Sequence, residues 1–212
     1  GLNLSFNASN QFTLYGQFVI DEWRMGEMLS NDGWSGNKYG WQAGIKAFNP
    51  LHLRNVCLQL EYNSVRPYMY SHYLTTQNYS HHKEPLAYSF GANTREVVGI
   101  IRYNHNRVYV TLKYNHAGFG LDTNGLNLGK NIFLDYQTAP DEYGNVTAQG
   151  LHTKMDQLDA DISYLLNPHT NMNLFLGLTL RKEVNKDFSN NYVWINAGFR
   201  TSLRNNYRDF YW

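Results

Sequence analysis

Asn171–Arg181 reads N-M-N-L-F-L-G-L-T-L-R, with Met172, Leu174, Leu176, Leu178 and Leu180 in one phase and Asn173, Phe175, Gly177, Thr179 and Arg181 in the other. Period-two alternation marks a strand, because successive side chains point to opposite faces of a pleated backbone. The apolar face of such a strand must be covered by a helix, by a second sheet or by lipid. No helical stretch in the chain is suited to covering it.

The same pattern recurs along the sequence. Leu158, Ala160, Ile162, Tyr164 and Leu166 alternate with Asp159, Asp161, Ser163 and Leu165, and Val193, Ile195, Ala197 and Phe199 alternate with Trp194, Asn196, Gly198 and Arg200. The charged side of these strands is too polar to be a core. The apolar side runs for roughly 9–11 residues, the length of a tilted strand that crosses a bilayer. We therefore expect an all-β, transmembrane antiparallel β-barrel whose apolar face meets lipid, with residues 1–212 forming a single domain.

Composition agrees. Aromatic residues make up 16% of the 212, 17 of them tyrosines, yet the mean hydropathy is negative. A barrel combines these features because half of each strand and all of its loops face water. A formal charge of +1 gives no basic footprint, so nucleic acid is not an expected partner. Cys57 stands alone, which excludes an internal disulfide and a cysteine-based zinc site. The chain opens directly in a strand pattern without a leader signal, as a mature or truncated chain would.

Turn signals place about nine strands, with tight connections near residues 9, 51, 105 and 168 and long loops near 24–38, 65–94 and 116–154, then a shorter one at 185–189. Short periplasmic turns alternating with long extracellular loops are the habit of outer-membrane barrels. Single-chain bacterial barrels have an even strand count, so nine strands suggest either the C-terminal part of a larger barrel, the reading favoured here, or one further strand that the pattern does not reveal. Tyr39, Trp41, Tyr62, Tyr103, Tyr114 and Tyr164 are expected to form aromatic girdles at the lipid boundaries.

Several groups carry possible chemistry. Asp159 and Asp161 share a strand face, as paired carboxylates for acid–base work do, but they fit a hydrated lumen wall better. His72, His81 and His82 sit in one loop, and Asp122, Asn124 and Asp135 have calcium-type oxygens without the spacing of an EF-hand. Nucleophile elbows, phosphate loops and dinucleotide fingerprints are absent from the sequence, so no enzyme and no cofactor is expected. Loop aromatics can stack on sugar rings while Asn, Asp and Arg bond hydroxyls.

The stretch Val65–Glu96 contains Arg66-Pro67-Tyr68, Tyr70-Ser71-His72, Asn78-Tyr79, Pro85-Leu86-Ala87 and Gly91-Ala92-Asn93. Further on come Gly120-Leu121-Asp122, Asn124-Gly125, Asn131-Ile132-Phe133, and an ending from Gly198 to Phe210. Together these resemble the capsule-assembly Wzi-like outer-membrane barrels, on the Bacteroidota branch that includes gliding-motility RemB. The resemblance covers roughly residues 55–212. It departs at Tyr88, Ser89 and Phe90, where the family pattern has His and Pro.

The resemblance implies a non-enzymatic protein of the bacterial outer membrane that organises or binds surface polysaccharide, or supports adhesion or gliding. A diffusion pore or transporter, or an outer-membrane subunit of a secretion or motility complex, is the alternative. Expected partners are outer-membrane lipid, surface polysaccharide and other outer-membrane proteins. Trp34, Arg66, Tyr68, Tyr70, His72, Tyr79, Asn93 and Tyr136 are the candidate glycan-binding residues, with Arg66, Tyr68, His72 and Asn93 either touching glycan or ordering the loop.

Overall fold

A computed structural model describes residues 1–201. The end of the last strand near Leu203 and the Tyr207–Phe210 part of the C-terminal motif lie outside the described residues.

β1 (Leu2–Asn7), β2 (Phe12–Glu22), β3 (Lys38–Phe48) and β4 (Val56–Val65) form an antiparallel meander. A two-residue-per-strand hairpin, β5 (Ser80–His81) with β6 (Glu84–Pro85), stands apart. The meander resumes with β7 (Thr94–His105), β8 (Val108–Leu121), β9 (Leu151–Asn167), β10 (Met172–Val184) and β11 (Ser189–Arg200). Nine strands join in the order β1-β2-β3-β4-β7-β8-β9-β10-β11, so neighbours in the sequence are neighbours in the sheet. The sheet is open: β1 and β11 are its two edges, and they do not pair with each other.

Turn chemistry explains the tight connections. Asn49, Asn55, Asn106 and Asn171 all adopt positive φ, between 48° and 65°, a region in which asparagine is tolerated. Asn49 also accepts the Asn55 backbone N–H at 2.7 Å, closing its own turn. The loop between β2 and β3 contains one helix, α1 (Met25–Ser30), none of whose residues is buried. Among the described residues no helix is long and apolar enough to cross a membrane, a fact that says nothing about strands.

Register turns the one-strand alternation into a two-faced sheet. Phe12, Ala47, Leu58, Ile101, Leu112, Ala160, Leu178 and Ile195 lie in one cross-strand row, apolar over eight strands. The next row, on the opposite face, runs Thr13, Lys46, Gln59, Ile100, Lys113, Asp159, Thr179 and Trp194. None of the described residues covers the apolar face: Leu60 is 56% and Ile195 74% exposed.

Apart from Pro50 and Gly177, the buried residues among those described lie at one end. β8 and β9 reach Leu121 and Leu151, well beyond the residues 116 and 154 where the sequence pattern ends them, and β7 begins at Thr94. On these extensions and just below them Glu96, Val98, Asn115, Ala117, Phe119, Thr153 and Met155 are buried beneath the long loops. All seven belong to the face that carries Lys113 and Asp159 lower down. The loops therefore fold inward over the polar side of the sheet, leaving the apolar side bare.

Candidate functional site

Three long connections, 23–37, 66–93 and 122–150, are knitted into one cap. Asn93 is its knot. Fully buried and at φ 57°, its amide donates to the carbonyls of Gly120 (3.2 Å), Leu128 (3.4 Å) and Gln149 (3.0 Å), and its Oδ1 accepts from the backbone N–H of Ala148 (2.7 Å) and Gln149 (3.2 Å). Gly120 has to be glycine there, because a Cβ would fall 1.5 Å from the Gln149 carbonyl oxygen. Arg66 ties the other two connections together, donating to the carbonyls of Asn37 (2.9 Å), Trp34 (3.4 Å) and Asn145 (3.3 Å).

Tyr68, 1% exposed, donates its hydroxyl to the Asn127 carbonyl at 3.1 Å, and burial pushes its pKa up to about 12. Asp122 accepts the backbone N–H groups of Leu128 (2.7 Å), Lys130 (3.3 Å) and Asn131 (2.9 Å), so its oxygens shape the loop. Lys130 aims its ammonium at the carbonyls of Phe90 and Ala92 and at the Thr94 hydroxyl, over the Phe119 ring. Burial lowers its pKa to about 8, with Asp122 pulling the other way.

Against this cap, on the polar side of β2, lies a hollow of about 770 Å³. Gln17, Val19 and Asp21 form one wall, and Tyr70, His72, Asn78, Tyr79, Leu86 and Tyr88 form the other. Tyr70 and Tyr79 stack, ring centroids 5.8 Å apart at 25°, held by the Tyr79 N–H to Tyr70 carbonyl bond at 3.0 Å. Burial raises the Tyr70 hydroxyl to a pKa of about 12, so it stays a donor. Asn78 accepts the His72 backbone N–H through Oδ1 at 2.5 Å, while its buried Nδ2 has no partner among the described residues.

His72 Nδ1 accepts the Leu74 N–H at 3.4 Å, which assigns the ring proton of its neutral form to Nε2. Tyr136 meets the His72 ring edge-on at 6.4 Å, and the Lys38 ammonium sits 3.6 Å from the Tyr136 ring centroid. Lys38 is itself 1% exposed and bound to Glu22 (3.1 Å), Asp21 (4.0 Å) and the Ser71 carbonyl (3.2 Å).

The candidate residues therefore separate into two groups. Tyr70, His72 and Tyr79 line the hollow, with Tyr136 packed behind His72. Arg66, Tyr68 and Asn93 lie inside the cap, and their polar atoms are engaged by backbone; of the two roles expected for them, ordering the loops is the one this geometry performs. Trp34 is buried too, under the Arg24 guanidinium (4.7 Å) and donating to Glu142 at 3.2 Å.

Sequence reading missed Asp21, Lys38 and Asn78. The adjacent Asp21-Glu22 and the lone Lys38, at facing ends of β2 and β3, were the available signal. Asp159 accepts from Thr179 (2.7 Å) and Gln157 (2.8 Å), as a satisfied wall residue does. His81 and His82 pack on each other at 4.1 Å, and no group of three metal-type side chains converges among the described residues. No protein-family model matches the chain, and no curated protein matches it.

Proposed function

We propose that the chain is part of a transmembrane antiparallel β-barrel of the bacterial outer membrane, larger than the nine strands described, and that it works as a non-enzymatic holder of surface polysaccharide. The membrane reading rests on the bare apolar rows and the charged face behind them, the inside-out pattern of a lipid-embedded barrel. Girdle residues support it. The Trp41 and Tyr62 rings pack at 5.1 Å near the loop end of the apolar face, and Tyr103 and Tyr164 lie near its turn end.

The free edges of β1 and β11 support a larger barrel. In hydrocarbon each unpaired backbone group costs several kcal/mol, so a spanning sheet closes on further strands. The inward-folded cap, which covers the polar face at the loop end, favours a holder over an open pore.

The observation that carries the ligand class is the hollow beside β2: a stacked tyrosine pair, Asn78, whose Nδ2 has no partner among the described residues, and the Asp21 carboxylate line one cavity. Sugars present apolar ring faces and a fringe of hydroxyls, which is the complement of that lining. The resemblance of Val65–Glu96 to the Wzi-like family points the same way. The test is retention of capsular polysaccharide or lipopolysaccharide sugar by the full-length protein. Wild type is expected to retain it and Tyr79→Ala to bind about fivefold less, on the roughly 1 kcal/mol scale of a ring contact; no retention by wild type would overturn the proposal.

A further inference from the structure

The outer face of the sheet changes chemistry above its apolar rows. Val97, His116, Asp156 and Lys182 share one cross-strand row, and Arg95, Gly118 and Lys154 share the next. Gly118 has no side chain, and the space a Cβ would take lies 3.4 Å from the His152 ring and 3.8 Å from the Arg95 guanidinium. Arg95, His116, His152 and Lys154 thus surround a small hollow of about 210 Å³, closed below by Tyr62 and Val97. Glu96 also borders the hollow, but it is buried and its carboxylate accepts from Asn63, Tyr88 and Asn115; Asp156, in the adjoining row, is engaged by His116 (2.8 Å) and the Tyr114 hydroxyl (2.6 Å). Among the described residues neither Arg95 nor Lys154 makes an ion pair.

A second hollow lies directly beneath on the same face. It measures about 540 Å³, and Leu58, Leu60, Ile101, Leu112, Tyr114 and Leu158 line it around Gly99. Gly99 is four residues from Arg95 along β7, or roughly 13 Å of strand. A cationic cup above an apolar trough, both opening sideways, is complementary to one molecule with an anionic head and a hydrocarbon tail. A free anion would use the cup alone, and a neutral lipid the trough alone.

We propose that this face binds a phosphate-bearing membrane lipid, its headgroup in the Arg95–Lys154 cup and an acyl chain in the trough over Gly99. The proposal rests on the membrane reading above. Arg matches phosphate with a fork of donors, and each cation near an anionic headgroup layer strengthens binding several-fold.

The test is native mass spectrometry of the full-length protein released from micelles containing equal phosphatidylglycerol and phosphatidylcholine, with insertion into pure phosphatidylcholine vesicles measured alongside. Wild type should retain phosphatidylglycerol preferentially. Arg95→Gln with Lys154→Gln should retain it about thirtyfold less, the effect of removing two headgroup cations. Gly99→Leu, which enters open space, should weaken retention by filling the trough and leave the cup intact. Insertion of all variants as wild type, with no phosphatidylglycerol preference in wild type or no loss in the double variant, overturns the proposal and spares the membrane reading. Displacement of the lipid by inorganic phosphate with equal affinity overturns it in favour of a free anion. Failure of wild type to insert removes both readings.

Discussion

Replacing Asn93 with alanine should uncouple the loop cap from the sheet while leaving the sheet intact. The magnitude follows from counting partners. Gln149 N–H retains the Val146 carbonyl at 3.2 Å and the Leu128 carbonyl retains Gln149 Nε2 at 2.9 Å, so those groups survive the change. The Ala148 N–H loses its 2.7 Å acceptor and the Gln149 carbonyl its 3.0 Å donor, both in the interior of the cap. A buried polar group stranded in this way costs roughly 1–3 kcal/mol. Alanine at φ 57° adds roughly 1–2 kcal/mol of left-handed strain.

At the lower end of these ranges the sum is about 3 kcal/mol, somewhat over two decades in the opening equilibrium of the cap. Hydrogen exchange reads it where no Asn93 bond is removed directly: at the Tyr68 amide, bonded to the Gly129 carbonyl at 3.0 Å, and at Ser35, bonded to Glu142 at 2.8 Å. Both should exchange hundreds of times faster, with the β10–β11 amides unchanged. Asn93→Gly loses the same hydrogen bonds but relieves the strain, so it should recover about tenfold of that increase. Wild-type rates at Tyr68 and Ser35 in the alanine variant would refute the idea that the cap opens as one unit held by the Asn93 bonds to the 122–150 connection.

Other perturbations probe the remaining layers. Leu112→Lys puts a charge in the middle of the bare apolar face and should cost about 2–4 kcal/mol of stability in vesicles by denaturant titration, whereas Thr111→Lys, on the charged face, should cost under about 1 kcal/mol. Gly120→Ala drives a Cβ into the Gln149 carbonyl and should open the cap to limited proteolysis around residues 145–150 without altering β10. Lys130 has a pKa lowered to about 8 by burial against an ordinary 10.5, so between those values the unfolded chain binds more protons. Cap stability, followed by Trp34 fluorescence in denaturant, should therefore rise as pH climbs through that window, and the slope should vanish in Lys130→Met.

The strands were legible because register allows only one solution. Leu174, Leu176, Leu178 and Leu180 are in phase, and a one-residue slip would turn them all to the charged side, so alternation alone fixes each strand's faces. The cap was not legible in the same way. Arg66, Tyr68 and Asn93 look like exposed, ligand-ready residues in a loop, and only the tertiary fold reveals that carbonyls from the other two connections and the end of β8 converge on them. Asn78 and Lys38 were passed over for the same reason: a polar residue in a loop carries no local mark of burial.

The misplaced ends of β8 and β9 have a different cause. Up to Tyr114 and Leu158 the apolar residues point to the bare face. Beyond them the phase inverts: His116 and Gly118 on β8, and His152, Lys154 and Asp156 on β9, occupy that face, while Ala117, Phe119, Thr153 and Met155 turn inward and are buried. A sequence reading that holds one phase sees the alternation stop and ends the strand. A strand in a soluble sheet has no reason to exchange its faces midway, because its core stays on one side. A strand that leaves hydrocarbon for water does have one: the outer side must become polar at the boundary, and the inner side is free to become a core once loops cover it. The inversion falls just above the Tyr114–Leu158 row, and the basic cup proposed to hold a lipid headgroup begins at that same level. On the membrane reading proposed above, the bare apolar rows, the buried cap and the cationic cup follow from one physical change of surroundings along two strands.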